Sequence, residues 1–182
     1  MKLLSRLQEL IGIKWVTLPA VSAAELEQAK ANDWQYLYVF IQAYYRHVRP
    51  ETPETRMDKF SNAACILILF NVLYGEVTNG GFIQLIQNGY GPHLFETPLA
   101  KDLAGWGASD LAELVNHAKR IYQAHREYLE RQRTIPEFSA LYQDFQEFVP
   151  LENRFYDIID GQTAIVRAHV EQHIAQFAQI EE

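Results

Sequence analysis

The stretch that most constrains the fold is Tyr74–Gly91, which reads YGEVTNGGFIQLIQNGYG and contains five of the nine glycines. It directly follows Ala63–Tyr74, the most apolar run of the chain. Gly80 and Gly81 allow a sharp turn and the close approach of another segment, because they carry no Cβ. The pattern therefore predicts a break in the chain beside a buried helix.

Polar residues on either side of the double glycine predict where a short helix begins and ends. Thr78 or Asn79 can accept hydrogen bonds from the free N–H groups of a first turn. Asn88-Gly89 is typical of a helix end, with Gly89 in the left-handed conformation. We expect a short helix with defined ends, packed against the buried one.

Length and composition favour one soluble domain over residues 1–182. Apolar residues make up 48% of the 182 residues, and a chain of this length buries about 70% of the surface that its unfolded form exposes. Cys65 is the single cysteine, which excludes an internal disulfide and fits a reducing compartment. We find no signal-peptide core or membrane-spanning run, so we expect a cytoplasmic protein.

The net charge of −7 is concentrated at the C-terminus. Residues 1–50 carry a net charge of +2 and residues 51–134 one of −2, whereas residues 135–182 hold two basic and nine acidic side chains. Direct binding to nucleic acid requires a basic face, so the sequence argues against it. An acidic face suits a basic protein partner instead.

Hydrophobic periodicity predicts an all-α fold: a single-domain bundle of about eight helices around a buried central helix, Met57–Tyr74. Other helices are expected at Lys2–Ile11, after Pro98 and after Ser109. Two more are expected to begin at capping boxes, Ser22–Glu25 and Thr134–Glu137. Pro150 is expected to end the helix that starts after Thr134. Gly161 is expected to separate two final helices, Leu151–Asp160 and Thr163–Ile180.

No residue pattern identifies a catalytic group, and we expect neither a metal nor a cofactor. His169 and His173 lie one helical turn apart, but Glu171 points elsewhere and the zinc-protease spacing is absent. Cys65 lies in an apolar helix, where a thiol is a small hydrophobic group rather than a nucleophile.

The polar residues of the glycine-rich stretch have two interpretations. Glu76, Asn79, Gln84, Gln87 and Asn88 could line a small pocket for a ligand or a reaction. The interpretation we favour is that they satisfy backbone groups at helix ends, as buried polar groups must.

These residues also carry a resemblance. Glu76, Asn79, Gly80, Gly81, Phe82, Gln84 and Asn88 resemble the signature of a bacterial family of unknown function whose best-known member is a DNA-mimic protein. Further matches are Pro98-Leu99-Ala100, Trp106-Gly107-Ala108, Ala118 and Phe155-Tyr156-Asp157, so the family-like region covers roughly residues 34–177. The resemblance implies an all-helical homodimer whose acidic surface occupies the DNA-binding face of a transcription regulator.

A mimic's carboxylates lie on variable surface positions, so the candidates come from the charge pattern instead. Glu137, Asp144 and Glu147 recur within ~80° of one another on a helix, and Asp157 and Asp160 lie one turn apart on the next. Our hypothesis is that these five side chains bind a basic protein surface. The alternative is an ordinary solvated helix face.

The sequence thus leaves two classes of function. The favoured one is a non-enzymatic protein-binding module whose partner is a DNA-binding regulator or a toxin that it neutralises. The other is a ligand-binding or catalytic pocket around residues 76–88. Salt dependence distinguishes them, because exposed charge pairs are screened at high ionic strength and a buried pocket much less so.

Overall fold

The structure is a computed structural model that describes residues 18–47 and 60–182. Within these ranges the chain forms eight α-helices: α1 Ala23–Ala29, α2 Asp33–His47, α3 Asn62–Gln87, α4 Gly91–Phe95, α5 Leu99–Gly105, α6 Ser109–Leu129, α7 Ile135–Asp144 and α8 Val149–Gln172. Short 3-10 helices follow α7 and α8 at Gln146–Phe148 and Ile174–Gln176. The predicted helical fold is confirmed, whereas the helix predicted at Lys2–Ile11 lies outside the described residues.

The central helix is α3, which is apolar around most of its circumference and contributes much of the core. It begins later than predicted: Met57 lies outside the described residues, and Phe60 and Ser61 precede the helix. Ser61 sets the start because its Oγ accepts a hydrogen bond from Ala64 N at 2.9 Å. Of the helices in the described ranges, α3 is the one with the length and apolarity to span a membrane, but 56% of its most apolar window is buried inside the protein. That burial is typical of a core helix.

A break divides α3 at the predicted double glycine, Gly80-Gly81, shortly after the buried residue Val77. Gly80 has φ −158° and ψ 21°, and Gly81 has φ 75° and ψ −171°, both outside the helical region. The chain then resumes a helical course to Gln87, and Gly89 takes φ 86°. The predicted stop at Asn88-Gly89 is therefore confirmed.

Helix α8 lies between α6 and α2 and also contacts α3, so it connects most of the fold. Gln162 is buried, and its Oε1 accepts a hydrogen bond from Leu111 N at the start of α6. Arg167 reaches α2, where its guanidinium binds Asp33 Oδ1 at 2.7 Å and Lys30 O at 2.8 Å. These contacts fix which face of α8 is turned to solvent.

Three predicted boundaries in the C-terminal part are wrong. The last predicted helix extends to Ile180, but α8 ends at Gln172 and Gln179–Glu181 form a strand. The helix after Thr134 ends at Asp144, and Pro150 lies in the first turn of α8, where its missing N–H has no partner to lose. Gly161 does not end a helix, because α8 continues through it to Gln172. A glycine in a helix interior costs about 1 kcal/mol, a penalty that burial of neighbouring Ile158 and Ile159 outweighs.

The structure also contains a short parallel strand pair that the sequence pattern does not predict. β1 Ala20–Ser22 pairs with β2 Gln179–Glu181, with Val21 opposite Ile180. Three residues per strand are too few to show an alternating pattern, so only the chain's return to this point reveals the pairing.

Candidate functional site

The break in α3 is held together by side chains from α7 and α8. Glu152 Oε1 accepts a hydrogen bond from Phe82 N at 3.0 Å, which caps the second part of the helix. The Tyr142 hydroxyl donates to Gly80 O at 2.7 Å. Tyr156 lies near Val77 O and Thr78 O, at 3.4 and 3.3 Å. The backbone groups freed by the break thus find partners about 60 to 80 residues along the chain.

Gly81 is required at this position for two independent reasons. Its positive φ is a conformation that side-chain-bearing residues rarely adopt. In addition, a Cβ at residue 81 would lie 2.0 Å from Glu152 Oε1, far inside van der Waals contact. The glycine therefore makes room for the carboxylate that caps Phe82.

The Glu152 carboxyl is partly buried against the break, and this burial raises its pKa above the ordinary value. The hydrogen bond from Phe82 N opposes the rise because it stabilises the ionised form. Glu152 acts here as a structural cap, and the neighbouring Tyr142 hydroxyl donates its hydrogen bond to Gly80 O.

The remaining polar residues of the stretch pair with one another and with backbone. Glu76 Oε2 accepts hydrogen bonds from Gln84 Nε2 at 3.0 Å and from Asn88 Nδ2 at 2.8 Å. Gln87 Nε2 donates to Leu129 O and to Arg131 O, which closes the C-terminal end of α6. Amide and carboxylate groups engaged in this way support the structural interpretation of the stretch over the pocket interpretation.

The predicted cap at Thr78 is wrong, and Asn79 takes no part in a cap. Thr78 Oγ1 donates to Tyr74 O at 2.7 Å, because the first part of α3 is still helical there. Asn79 is exposed, and Phe82 is fully buried with its ring stacked on that of Phe148. The acceptor for the new helix comes from Glu152 instead, which the local sequence does not indicate.

The five candidate partner-binding carboxylates are all exposed, as predicted, but they differ in their surroundings. Glu137 belongs to the predicted capping box: its Oε2 accepts hydrogen bonds from Thr134 N at 2.8 Å and from Thr134 Oγ1 at 2.7 Å. These bonds, the one from the Thr134 hydroxyl first, lower the pKa of Glu137. Its carboxylate is therefore already engaged in holding the start of α7.

Asp144 and Glu147 lie beside the C-terminal part of α6. Asp144 Oδ2 is 3.4 Å from the Tyr128 hydroxyl, and Glu147 Oε1 is 3.6 Å from His125 Nε2. The guanidinium groups of Arg131 and Arg133 lie over the ring of Tyr128. The neighbours of these two carboxylates are thus the Tyr128 hydroxyl and the His125 imidazole of α6.

Asp157 and Asp160 lie on the outer face of α8, about 4.5 Å apart along its axis. Neither carboxylate forms a hydrogen bond or ion pair within residues 18–47 and 60–182. The ring of Tyr156, 55% exposed, precedes them on the same helix. Both carboxylates are free to meet a partner.

Sequence reasoning missed Glu152 and the roles of the hydroxyl groups of Tyr142 and Tyr156. A break after Gly81 requires an acceptor for Phe82 N, which is the signal that a distant carboxylate is needed. It does not say which one, since only the packing of α8 on α3 brings residue 152 to residue 82.

The described ranges contain no cluster of three or more His, Cys, Asp or Glu side chains that could hold a metal ion. His169 and His173 are stacked face to face, with ring centroids 4.3 Å apart. That this pair binds no metal remains a prediction, which metal analysis of untagged protein would test.

Residues 58–175, well over half of the chain, match the family described as DMP19-like protein. The chain belongs to the DMP19-like family. The family resemblance seen in the sequence is thereby confirmed, and the match begins later than residue 34 and ends within two residues of 177.

A curated relative supports the same assignment. The DNA mimic protein DMP19 of Neisseria meningitidis serogroup B is 28% identical to this chain over 148 residues, which are 79% of the chain and 87% of the relative. The alignment thus covers most of both proteins. The similarity extends over most of the helical fold rather than one motif.

Proposed function

We propose that this protein is a non-enzymatic DNA mimic that occupies the DNA-binding surface of a basic partner, such as a transcription regulator. The observation that carries the proposal is the exposed, unpaired pair Asp157 and Asp160 on α8 of a chain whose relative is a DNA mimic. Glu137, Asp144 and Glu147 extend the proposed surface onto α7 and the turn after it.

The charge pattern supports this choice of face. Residues 135–182 hold only two basic side chains, Arg154 and Arg167. Arg154 lies 3.7 Å from Asp110, and Arg167 binds Asp33 and Glu171. Since both guanidinium groups are directed to other carboxylates, neither neutralises Asp157 or Asp160.

The spacing of these two carboxylates also supports the proposal. One DNA strand carries a charge about every 3.4 Å of axis, and Asp157 and Asp160 are separated by about 4.5 Å along α8. Glu137, Asp144 and Glu147 do not form the predicted stripe on one helix, because α7 ends at Asp144 and Glu147 lies in the following 3-10 helix. The α8 pair is therefore the part of the surface closest in spacing to a phosphate backbone.

A competition experiment tests the proposal. Protein partners would first be captured from the source cell's lysate at low salt and released at high salt, because such contacts are screened. The captured partner would then be bound to a labelled DNA duplex carrying its site. Addition of this protein should release the duplex, and the variant Asp157→Lys/Asp160→Lys should lose this ability.

A matched control separates the proposed surface from total charge. Glu113→Lys/Glu127→Lys reverses two exposed carboxylates on α6 and changes the net charge equally. This variant should still release the duplex. Equal loss in both variants would indicate a general charge effect, and partner binding that leaves the duplex in place would exclude mimicry.

We also expect the protein to act in the cytoplasm as a single-domain homodimer. Analytical ultracentrifugation would test the oligomeric state.

A further inference from the structure

Four aromatic rings form a stack where α5, α8 and the C-terminal segment meet. The His169 ring lies parallel to Trp106, with centroids 4.6 Å apart, and on His173, with centroids 4.3 Å apart. Phe177 meets both Trp106 and His169 edge-on. Two titratable rings therefore take part in a packed contact.

The same stack adjoins the anchor of residues 174–182, which we call the C-terminal segment. The hydroxyl of Tyr44 donates to Phe177 O at 3.0 Å, and Ser61 Oγ donates to Gln176 O at 2.7 Å. Gln179 N donates to Pro19 O at 2.9 Å, next to the β1–β2 pair. Detachment of the segment would open all of these contacts together.

We propose that His169 and His173 form a pH-sensitive latch that holds the C-terminal segment on the fold at neutral pH and loosens it on acidification. One positive charge on the stack is tolerated, because the face of Trp106 attracts a cation. A second charge is opposed, since the two imidazoles are in ring contact. His173 Nδ1 lies 2.9 Å from His169 O, and this bond survives protonation because Nδ1 is then a donor.

The surrounding charges do not relieve the repulsion. Among the described residues no carboxylate lies within ion-pair distance of either imidazole. Arg167 and Glu171 lie about 160° away from His169 around α8 and bind each other. The titratable groups on the adjoining elements include Lys101 and Asp102 of α5, Tyr44 of α2, and Glu181 and Glu182 of the C-terminal segment. Asp102 accepts a hydrogen bond from Asn62.

Burial and, next, the neighbouring His173 lower the pKa of His169. His169 therefore binds a proton more readily when the C-terminal segment is detached than when it is latched. The latch is thus most stable above the ordinary histidine value of about 6.5 and weakens as the pH falls below it.

Hydrogen exchange of the full chain, followed by mass spectrometry, tests the latch. Amides of 176–179, which are bonded in the latched state, should lose about tenfold or more of their protection between about pH 7.5 and about pH 5, after correction for intrinsic exchange. Amides of α3 should keep theirs. The variant His169→Phe keeps a flat ring in the stack but cannot gain a proton, so its segment should stay protected at both pH values.

The control variant His117→Phe removes an exposed imidazole on α6 and should behave like the wild type. Unchanged protection in the wild type, or an equal loss in His169→Phe, would overturn the latch. Should His169→Phe fail to fold, NMR of the wild type gives the answer. The amide chemical shifts of Ala178 and Gln179 must then change over the same pH range as the signals of the two imidazoles. Amide shifts that do not change with the imidazole signals would also overturn the proposal.

Discussion

Single residues decide the geometry of the break in α3. Gly81 supplies a positive φ and leaves space for the Glu152 carboxylate, which caps Phe82 N. The hydroxyl of Tyr142 satisfies Gly80 O on the other side. Removal of any one partner leaves a buried backbone group unpaired or creates a collision.

The variant Gly81→Val should lower the free energy of unfolding by about 3 kcal/mol, because it combines an unfavourable φ with a Cβ in the place of the carboxylate. Gly75→Ala is the matched control: a Cβ at residue 75 meets no atom within 4 Å. Thermal melts of both variants check this. A Gly81→Val melt within a degree or two of wild type would show that the break does not need glycine.

The variant Glu152→Gln tests the partly buried carboxyl by its pH dependence. The folded-state pKa of Glu152 is raised by burial, so the native state binds this proton more tightly than the unfolded state. The contribution of this group to stability is therefore present below the unfolded-state pKa of about 4.3 and is lost as the pH rises through the folded-state value. Glutamine does not titrate and keeps an acceptor for Phe82 N. Urea unfolding at about pH 4 and about pH 7 should show Glu152→Gln gaining stability relative to wild type at the higher pH, and a constant difference would contradict this.

At the scale of elements, α8 organises the molecule as much as the central α3 does. Its inner face contacts α2, α3 and α6, and its outer face presents Asp157 and Asp160. Because α8 is continuous through Gly161, one helix carries both Glu152, which caps the break in α3, and Arg167, which binds Asp33 of α2.

The variant Gly161→Ala should stabilise the protein by about 0.5–1 kcal/mol, because alanine has the higher helix propensity and loses less backbone entropy. A Cβ at residue 161 meets no atom within 4 Å, and the residue is exposed. Chemical denaturation measures the change. Destabilisation would contradict this expectation and show that α8 needs glycine at residue 161.

At the scale of the whole molecule, the distribution of charge matters more than its total. The net charge of −7 equals that of residues 135–182 alone, while the rest of the chain is balanced. Among the proposed binding residues, those on α8 are unpaired, whereas Asp144 and Glu147 lie beside the Tyr128 hydroxyl and the His125 imidazole of α6.

The variant Asp144→Lys/Glu147→Lys tests the other half of the proposed surface. Both side chains are exposed, so the fold should remain intact. Association with a captured basic partner should become slower, and its salt dependence shallower, because steering by these charges is lost. Surface plasmon resonance at several salt concentrations measures both quantities. If both stay as in the wild type, this part of the acidic surface is only a solvated helix face.

The sequence by itself determined the helical class, the position of the break and the place where negative charge accumulates. Gly80-Gly81 within an apolar run, the Thr134–Glu137 capping box and the Asn88-Gly89 stop are local signals, since each depends on residues within a few positions. They could therefore be located without knowledge of the fold.

Only the tertiary structure decided which distant groups complete these local features. Glu152 caps Phe82 from 70 residues away, and His169 meets Trp106 from another helix. The tertiary structure also decided that α8 continues through Gly161, because burial of the inner face of the helix outweighs the low helix propensity of one glycine. Backbone groups and aromatic faces accept any suitable partner that packing brings near, so no local pattern can specify that partner.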